Sequence, residues 1–274
     1  MPVPDLDDPH ELSPECVKGF GRDGHTLVRG LMSMDEVSEW RPVIERAALK
    51  YRSDERPLEE RGTYGKAFIQ SMNLWLRDPG VAGFSLARRF ARVAAELMGV
   101  DGVRMYHDQA LFKEPGGGFT PWHQDRTYWP LDTPHTITMW MALVEVPEEV
   151  GSMHFVSGSH AMGDLGTPGI GDHSQAHFAS LIDERGLATQ TYGAIAAGDA
   201  TFHAGWTLHS AGANLTAQMR SVMTVIYYAD GTRVAPIRYE AQAHDLKRWL
   251  AGCAPGDLAA GPDNPVLYAA SDDA

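Results

Sequence analysis

Arg220-Ser-Val-Met-Thr-Val-Ile-Tyr-Tyr228 is rich in β-branched and aromatic residues and free of glycine and proline, which makes it the clearest strand of the chain. Upstream, Thr136-Ile-Thr-Met-Trp-Met-Ala-Leu-Val144 is apolar at nearly every position, the pattern of a strand covered on both faces. Val103 to Lys113 reads as a third strand, ended by the turn sequence Glu114-Pro-Gly-Gly-Gly118. Met153-His-Phe-Val156, Ala200-Thr-Phe-His203 and Trp206 to Ala211 continue the set. Many short strands in succession predict a β-barrel or a double-sheet sandwich.

The flanking segments differ. Ser13-Pro14 is an N-cap followed by proline at the first helical position. His25 to Arg29 alternates like a strand, and Ser33-Met-Asp-Glu36 is a capping box whose helix runs to about Tyr51. Asp78-Pro79 opens a helical stretch reaching Leu97, with a break expected near Gly83 and Ser85. The expected organisation is one domain: a helical layer over 13–100, a β-core over 103–230, and a C-terminal extension over 231–274 that is irregular from Gly252 onward. A glycine-rich stretch from Ala161 and a helix over 174–185, ended by Gly186, form a lid-like insert at 161–193.

The 274 residues are enough for a sizeable core. A formal net charge of −13 repels nucleic acid and anionic membranes on average, and it weighs against a polyanionic substrate such as a coenzyme A ester. No apolar run approaches the roughly 18 residues of a membrane span. The acidic start, Met1-Pro-Val-Pro-Asp-Leu-Asp-Asp8, is unlike a signal peptide, and Cys16 and Cys253 form no metal-type spacing. The expectation is a cytoplasmic protein that acts on a small molecule.

Four residues carry the chemistry. His123 and Asp125 lie in Thr120-Pro-Trp-His-Gln-Asp-Arg126, His209 in Trp206-Thr-Leu-His-Ser-Ala211, and Arg220 opens the strand quoted first. Residues i and i+2 of a strand share a face, so His123 and Asp125 can point the same way, with His209 joining from a distant strand. Two imidazoles and a carboxylate can hold one face of iron(II) and leave its other positions open. A planar guanidinium grips a carboxylate in bidentate fashion, as the distal end of a keto acid would require. Among the twelve histidines, His123 is the only one followed two residues later by an acid. Alone, that motif also fits an exposed turn, and a zinc-dependent hydrolase or a non-catalytic binding protein could carry the same set.

The surrounding sequence resembles the phytanoyl-CoA dioxygenase family over roughly residues 13–268. The similarity is strongest in Gln109-Ala-Leu-Phe-Lys-Glu-Pro-Gly116 with Pro121-Trp-His-Gln-Asp125, in Trp140-Met-Ala-Leu143 through Gly151-Ser-Met-His-Phe-Val-Ser-Gly-Ser-His160, and in Gly198-Asp-Ala-Thr-Phe-His203 through Asn214. The resemblance implies a mainly β fold with packed helices around a double-stranded β-helix (jelly-roll, cupin-like) core. It implies non-haem iron(II), 2-oxoglutarate and dioxygen, with succinate and carbon dioxide released. By position it makes His123, Asp125 and His209 the iron ligands and Arg220 the partner of the distal carboxylate of 2-oxoglutarate. Gln109 and Trp140 match positions facing that cosubstrate, although a glutamine satisfied by backbone and a core tryptophan are equally good readings. Hydroxylation is the usual outcome, with ring closure, epimerisation or desaturation open to the same chemistry. Halogenases of related architecture lack the carboxylate, so Asp125 argues against halogenation. The substrate expected is a secondary-metabolite intermediate, with an acyl-coenzyme A the alternative.

Some members of the family carry a hydroxyl residue two positions after the distal histidine, where this chain has Ala211; Thr138 or Gln70 could compensate. Lys113 reads as a solvated lysine at a strand end, His203, six residues before His209, as a core histidine or a residue behind the site, and Gly158-Ser-His160 as a structural turn. His107, His135 and His154 are candidate pocket residues, and Tyr128 or Trp129 is expected to line the substrate site.

Overall fold

A computed structural model describes residues 3–166 and 169–273. Its first helix, α1 (Pro14–Asp23), begins where the sequence places it: the Ser13 hydroxyl accepts from the Cys16 N–H at 3.3 Å. Strand β1 (His25–Val28) follows. Helix α2 (Met34–Lys50) opens on a complete capping box, with the Glu36 N–H donating to Ser33 and the Ser33 N–H donating to Glu36. Val37, Trp40, Ile44, Ala47 and Ala48 form its buried stripe. The short elements α3 (Thr63–Ala67), β2 (Ile69–Met72) and α4 (Leu74–Arg77) have too few residues for a period to show in the sequence. The expected break falls between α5 (Pro79–Ser85) and α6 (Arg88–Met98).

From here the chain is mostly β. Strand β3 (Gly102–Phe112) is followed by β4 (Thr120–His123), β5 (Thr136–Ala142) and β6 (Met153–Val156). Helix α7 (Asp172–Glu184) and the short β7 (Thr189–Gln190) occupy the insert. The glycine-rich stretch before α7 lies partly outside the described residues. Then come β8 (Ala200–Ala204), β9 (His209–Ala211), β10 (Val222–Ala229), α8 (Glu240–Trp249) and β11 (Val266–Ala269).

The strands form two antiparallel sheets. The larger runs β1-β8-β5-β10-β3-β11, with β2 also on β3, and the smaller runs β4-β9-β6-β7. This is the jelly-roll core that the sequence predicts, with helices packed against the large sheet.

Alternation along β5 shows what the sheet separates. Ile137, Met139 and Met141 pack into the helix-covered core, whereas Thr138 and Trp140 line a cavity on the opposite face. Both faces are covered, which explains the near-continuous apolar run. On β3 the register against β10 shifts between Met105 and His107. A bulge of this kind places two successive side chains, Tyr106 and His107, on the inner side.

Three sequence expectations need correction. Asp125 is not on a strand: β4 stops at His123, and Asp125 opens a single 3-10 turn, Asp125–Thr127. Arg220 precedes β10 and makes a lone antiparallel bridge with Lys113. The tail from Gly252 onward is not irregular throughout, since β11 pairs with β3; before it, α8 packs Trp249 and Leu250 against Tyr106 and Trp129.

Gly198 sets the entry to β8. Its φ is +90°, and an added Cβ would lie 2.2 Å from the Met32 carbonyl oxygen. Gly198→Ala is expected to destabilise the protein by about 2 kcal/mol or more through backbone strain and this clash. The measurement is urea unfolding, with a lower midpoint at unchanged slope.

Candidate active site

Strands β4 and β9 are neighbours, and their register sets His123 directly opposite His209. The two rings lie 4.1 Å apart between centroids. Asp125 closes the group from the turn after β4, with its Oδ1 at 3.6 Å from His123 Nε2 and 3.8 Å from His209 Nε2. The three donor atoms lie within 4.8 Å of one another, a separation suited to one metal ion.

Each imidazole is oriented by its own backbone. His123 Nδ1 lies 2.7 Å from the Pro121 carbonyl, and His209 Nδ1 lies 2.9 Å from that of Thr207. A carbonyl can only accept, so both Nδ1 atoms carry the proton and both Nε2 lone pairs face Asp125. Burial is the main cause lowering the pKa of His209, helped by the neighbouring histidines, and it also lowers that of His123. Both rings are therefore neutral near pH 7, the state that binds a metal.

Asp125 is held from the other sheet. The Thr138 hydroxyl donates to its Oδ2 at 2.9 Å, and His203 Nε2 lies 3.2 Å from the same atom. Burial pushes this carboxyl up, but the neighbouring His209, His203 (which also donates a hydrogen bond) and His123 outweigh it and hold it well below the ordinary carboxylate range. One oxygen is thereby fixed while the other is left for a metal. His203 thus sits directly behind the carboxylate, contacting its Oδ2, the second of the two places its spacing from His209 allows.

Arg220 lines the same cavity and is 1% exposed. One guanidinium nitrogen donates to the Gly151 carbonyl at 2.5 Å, and the group lies 5.2 Å from the Trp140 ring centroid. Its Nε has no acceptor, and no carboxylate pairs with it among the described residues. Burial lowers its pKa to about 9, so it stays charged at neutral pH. Lys113 corrects another expectation: it is 0% exposed, because it lies opposite Arg220 and its Nζ reaches the Gly118 carbonyl at 2.5 Å. Burial and the Arg220 charge push it down to about 6. A buried guanidinium without a counter-ion, with the Lys113 amine beside it, suits this end of the cavity to an anion.

The cavity measures about 420 Å³. Gln109 and Trp140 line it, and Gln109 is satisfied by the Gln70 amide at 2.7 Å rather than by backbone. Thr138 is committed to Asp125, so it does not replace the missing hydroxyl. Thr120, directly across from Ala211 and also in the wall, brings a hydroxyl to that place. Tyr128 and Trp129 both line the cavity, as does His107, whereas His135 is exposed and His154 lies outside the lining. Two wall residues, Asp245 and Trp249, were not suggested by the sequence because they come from α8.

The family model for phytanoyl-CoA dioxygenase (PhyH) matches residues 20–222. An ectoine dioxygenase of Nocardia farcinica (strain IFM 10152) is 25% identical over 249 residues, covering 82% of this chain and 81% of that protein. The crystal structure of SnoK, a non-haem α-ketoglutarate-dependent carbocyclase from nogalamycin biosynthesis, superimposes with a TM-score of 0.74 at 25% identity over 94% of this chain and 99% of that one. The epimerase SnoN, in complex with Fe3+, α-ketoglutarate and nogalamycin RO, gives a TM-score of 0.75 at 27% identity over 92% and 97%.

Thr138→Val removes one of the two contacts that fix Asp125 Oδ2. It is expected to weaken divalent-metal binding by about 10- to 100-fold, the usual effect of losing such an outer-shell bond. Equilibrium dialysis against iron(II) under argon measures this, and unchanged affinity would show that Thr138 does not hold the carboxylate in place.

Proposed function

The chain belongs to the phytanoyl-CoA dioxygenase family, and we propose that it binds iron(II) through His123, Asp125 and His209 and 2-oxoglutarate through Arg220. The protein is a non-haem iron(II)- and 2-oxoglutarate-dependent dioxygenase. We infer that it oxidises a small secondary-metabolite intermediate by hydroxylation, ring closure or epimerisation. When bound, iron(II) and 2-oxoglutarate supply an oxidant able to take hydrogen from an unactivated C–H bond, with succinate and carbon dioxide as coproducts.

The observation that carries the site assignment is Arg220, a fully buried guanidinium in the triad's own cavity with no carboxylate of its own. A hydrolase using zinc on the same triad would leave it without a role. The distal carboxylate of 2-oxoglutarate would supply the missing anion, with the neighbouring Lys113 amine able to take up a proton as it binds. The Thr120 hydroxyl lies where it can bond that carboxylate in place of the group absent at Ala211. Trp140 backs the guanidinium, and Gln109, fixed by Gln70, offers its amide along the same wall.

The remaining residues orient and enclose. Thr138 and His203 keep Asp125 presenting one oxygen. Tyr128 and Trp129 form an apolar wall on which a substrate carbon skeleton can rest. Tyr128 is tied to the insert, its hydroxyl accepting from the Ile170 N–H at 2.9 Å. That contact favours closure of the segment over a bound substrate and exclusion of water. Among the described residues the cavity wall offers no lysine or arginine besides Arg220 for the phosphates of a coenzyme A ester. This supports the small-molecule reading.

Arg220→Met is expected to weaken 2-oxoglutarate binding by about 100-fold, as loss of one partner of a buried charge pair does, while metal affinity stays near wild type. Calorimetric titration of both ligands tests the separation; equal loss of metal affinity would contradict it.

A proton linkage accompanies the binding. Lys113 has its pKa lowered to about 6, so it is mostly neutral above that pH until an anion arrives and raises its pKa. Binding at pH 7 should therefore take up protons, and affinity should fall as pH rises above about 6. Titration in buffers of different ionisation enthalpy reads the uptake, which Lys113→Met should abolish.

A further inference from the structure

Helix α8 lies beyond the segment matched by the family, residues 20–222, yet it supplies Asp245 and Trp249 to the cavity wall. Four residues apart, they project from one helical face. If Asp125 faces iron and Arg220 faces the cosubstrate, Asp245 is the one remaining acidic or basic side chain of the wall, histidines aside. This argument rests on the proposed cofactor reading only for assigning those two partners.

We propose that Asp245, Trp249 and His107 form the recognition end of the substrate site and that the group they receive is a protonated amine on an otherwise apolar molecule. Asp245 has no cation within ion-pair distance among the described residues. The Tyr106 hydroxyl donates to it at 3.2 Å, and the nearby Arg248 stacks over the Trp249 ring, 4.3 Å from the centroid. Burial pushes the Asp245 carboxyl up to about 7, against the opposing pull of the Tyr106 hydroxyl, the Arg248 charge and the Trp249 indole N–H. A cation brought into the cavity would return it to the ionised state.

His107 adds an independent observation. It is 3% exposed, lines the cavity and has a buried Nδ1 with no hydrogen-bond partner. Burial lowers its pKa to about 3, so the ring is neutral and does not compete with an incoming cation. A neutral imidazole can offer one lone pair, and an ammonium has three donors to share between that nitrogen and the Asp245 carboxylate. The β3 bulge is what aims both contacts inward, sending Tyr106 to Asp245 and setting His107 4.8 Å from Trp249. The aromatic walls of Trp129, Tyr128 and Trp249 suit a cation as well as a carbon skeleton. A neutral alcohol would leave the carboxylate without a counter-charge, and an anion would be repelled.

The test is calorimetric titration of the iron(II)- and 2-oxoglutarate-loaded protein, without oxygen, using 1-naphthylmethylamine and its neutral counterpart 1-naphthalenemethanol. The amine should bind about 10- to 100-fold more tightly, the worth of a hydrogen bond to a charged group. Asp245→Asn should remove that preference by weakening the amine alone, and Asp245→Glu should retain part of it. The wild-type comparison depends on no variant folding. Equal binding of the two probes, failure of the amine to bind, or a preference that survives Asp245→Asn would overturn the proposal. Titrating 2-oxoglutarate into the same iron-loaded protein separates the two claims. Failure there with the amine preference intact counts against the cofactor reading and not against this one, and the converse result counts against the amine site alone.

Discussion

The geometry of the site depends on how one carboxylate oxygen is restrained. Asp125 stands just past the end of a strand of the small sheet, where no ladder fixes it. Thr138 and His203, from adjacent strands of the large sheet, both engage its Oδ2. This contact links the sheets across the cavity and leaves Oδ1 facing two imidazole nitrogens. The imidazoles are themselves fixed by carbonyls two residues before them, on the same backbone segments that position the rings. A metal arriving here would find its donors oriented, neutral or anionic as needed, and already desolvated.

The cavity's charges explain the rest of its design. A buried charge without a partner is costly, and proteins tolerate it where a ligand supplies the partner. Asp125, Arg220 and Asp245 are three ionisable centres around one space of about 420 Å³, with the Lys113 amine beside the second. On the reading proposed above, the complements are a cation at the triad, an anion at the arginine and a cation at the far helix. The first two lie within the part of the chain shared with its family, and the third lies on an element outside it. That division matches an enzyme whose cofactor chemistry is common and whose substrate is its own.

Much of this was legible in the sequence, for physical reasons. Long strands such as β5 and β10 carry enough residues to display their covering, and capping chemistry at Ser13 and Ser33 marks helix starts directly. Motif and resemblance converge on the triad and Arg220, resemblance alone points to Gln109 and Trp140, and the structure brings all six to one cavity. Lys113 is misread from the sequence and Thr120 is not singled out at all, whereas the sequence leaves His203 open between the core and a place behind the site, where it contacts Asp125. Their significance lies in cross-strand register, which pairs residues distant in sequence, and a lysine beside a turn looks the same whether solvated or buried. Asp245 was invisible because α8 has only a narrow buried face and its packing against the bulge of β3 has no local signature.

The most direct test of the central claim is spectroscopic. Iron(II) and then 2-oxoglutarate are added to the protein under argon, and the visible metal-to-ligand charge-transfer band is recorded for wild type, His123→Ala and Arg220→Ala. A band in wild type that is absent without His123 and requires more 2-oxoglutarate without Arg220 is the result predicted. Folded, metal-loaded wild-type protein that shows no band, or a band indifferent to His123, would contradict the account.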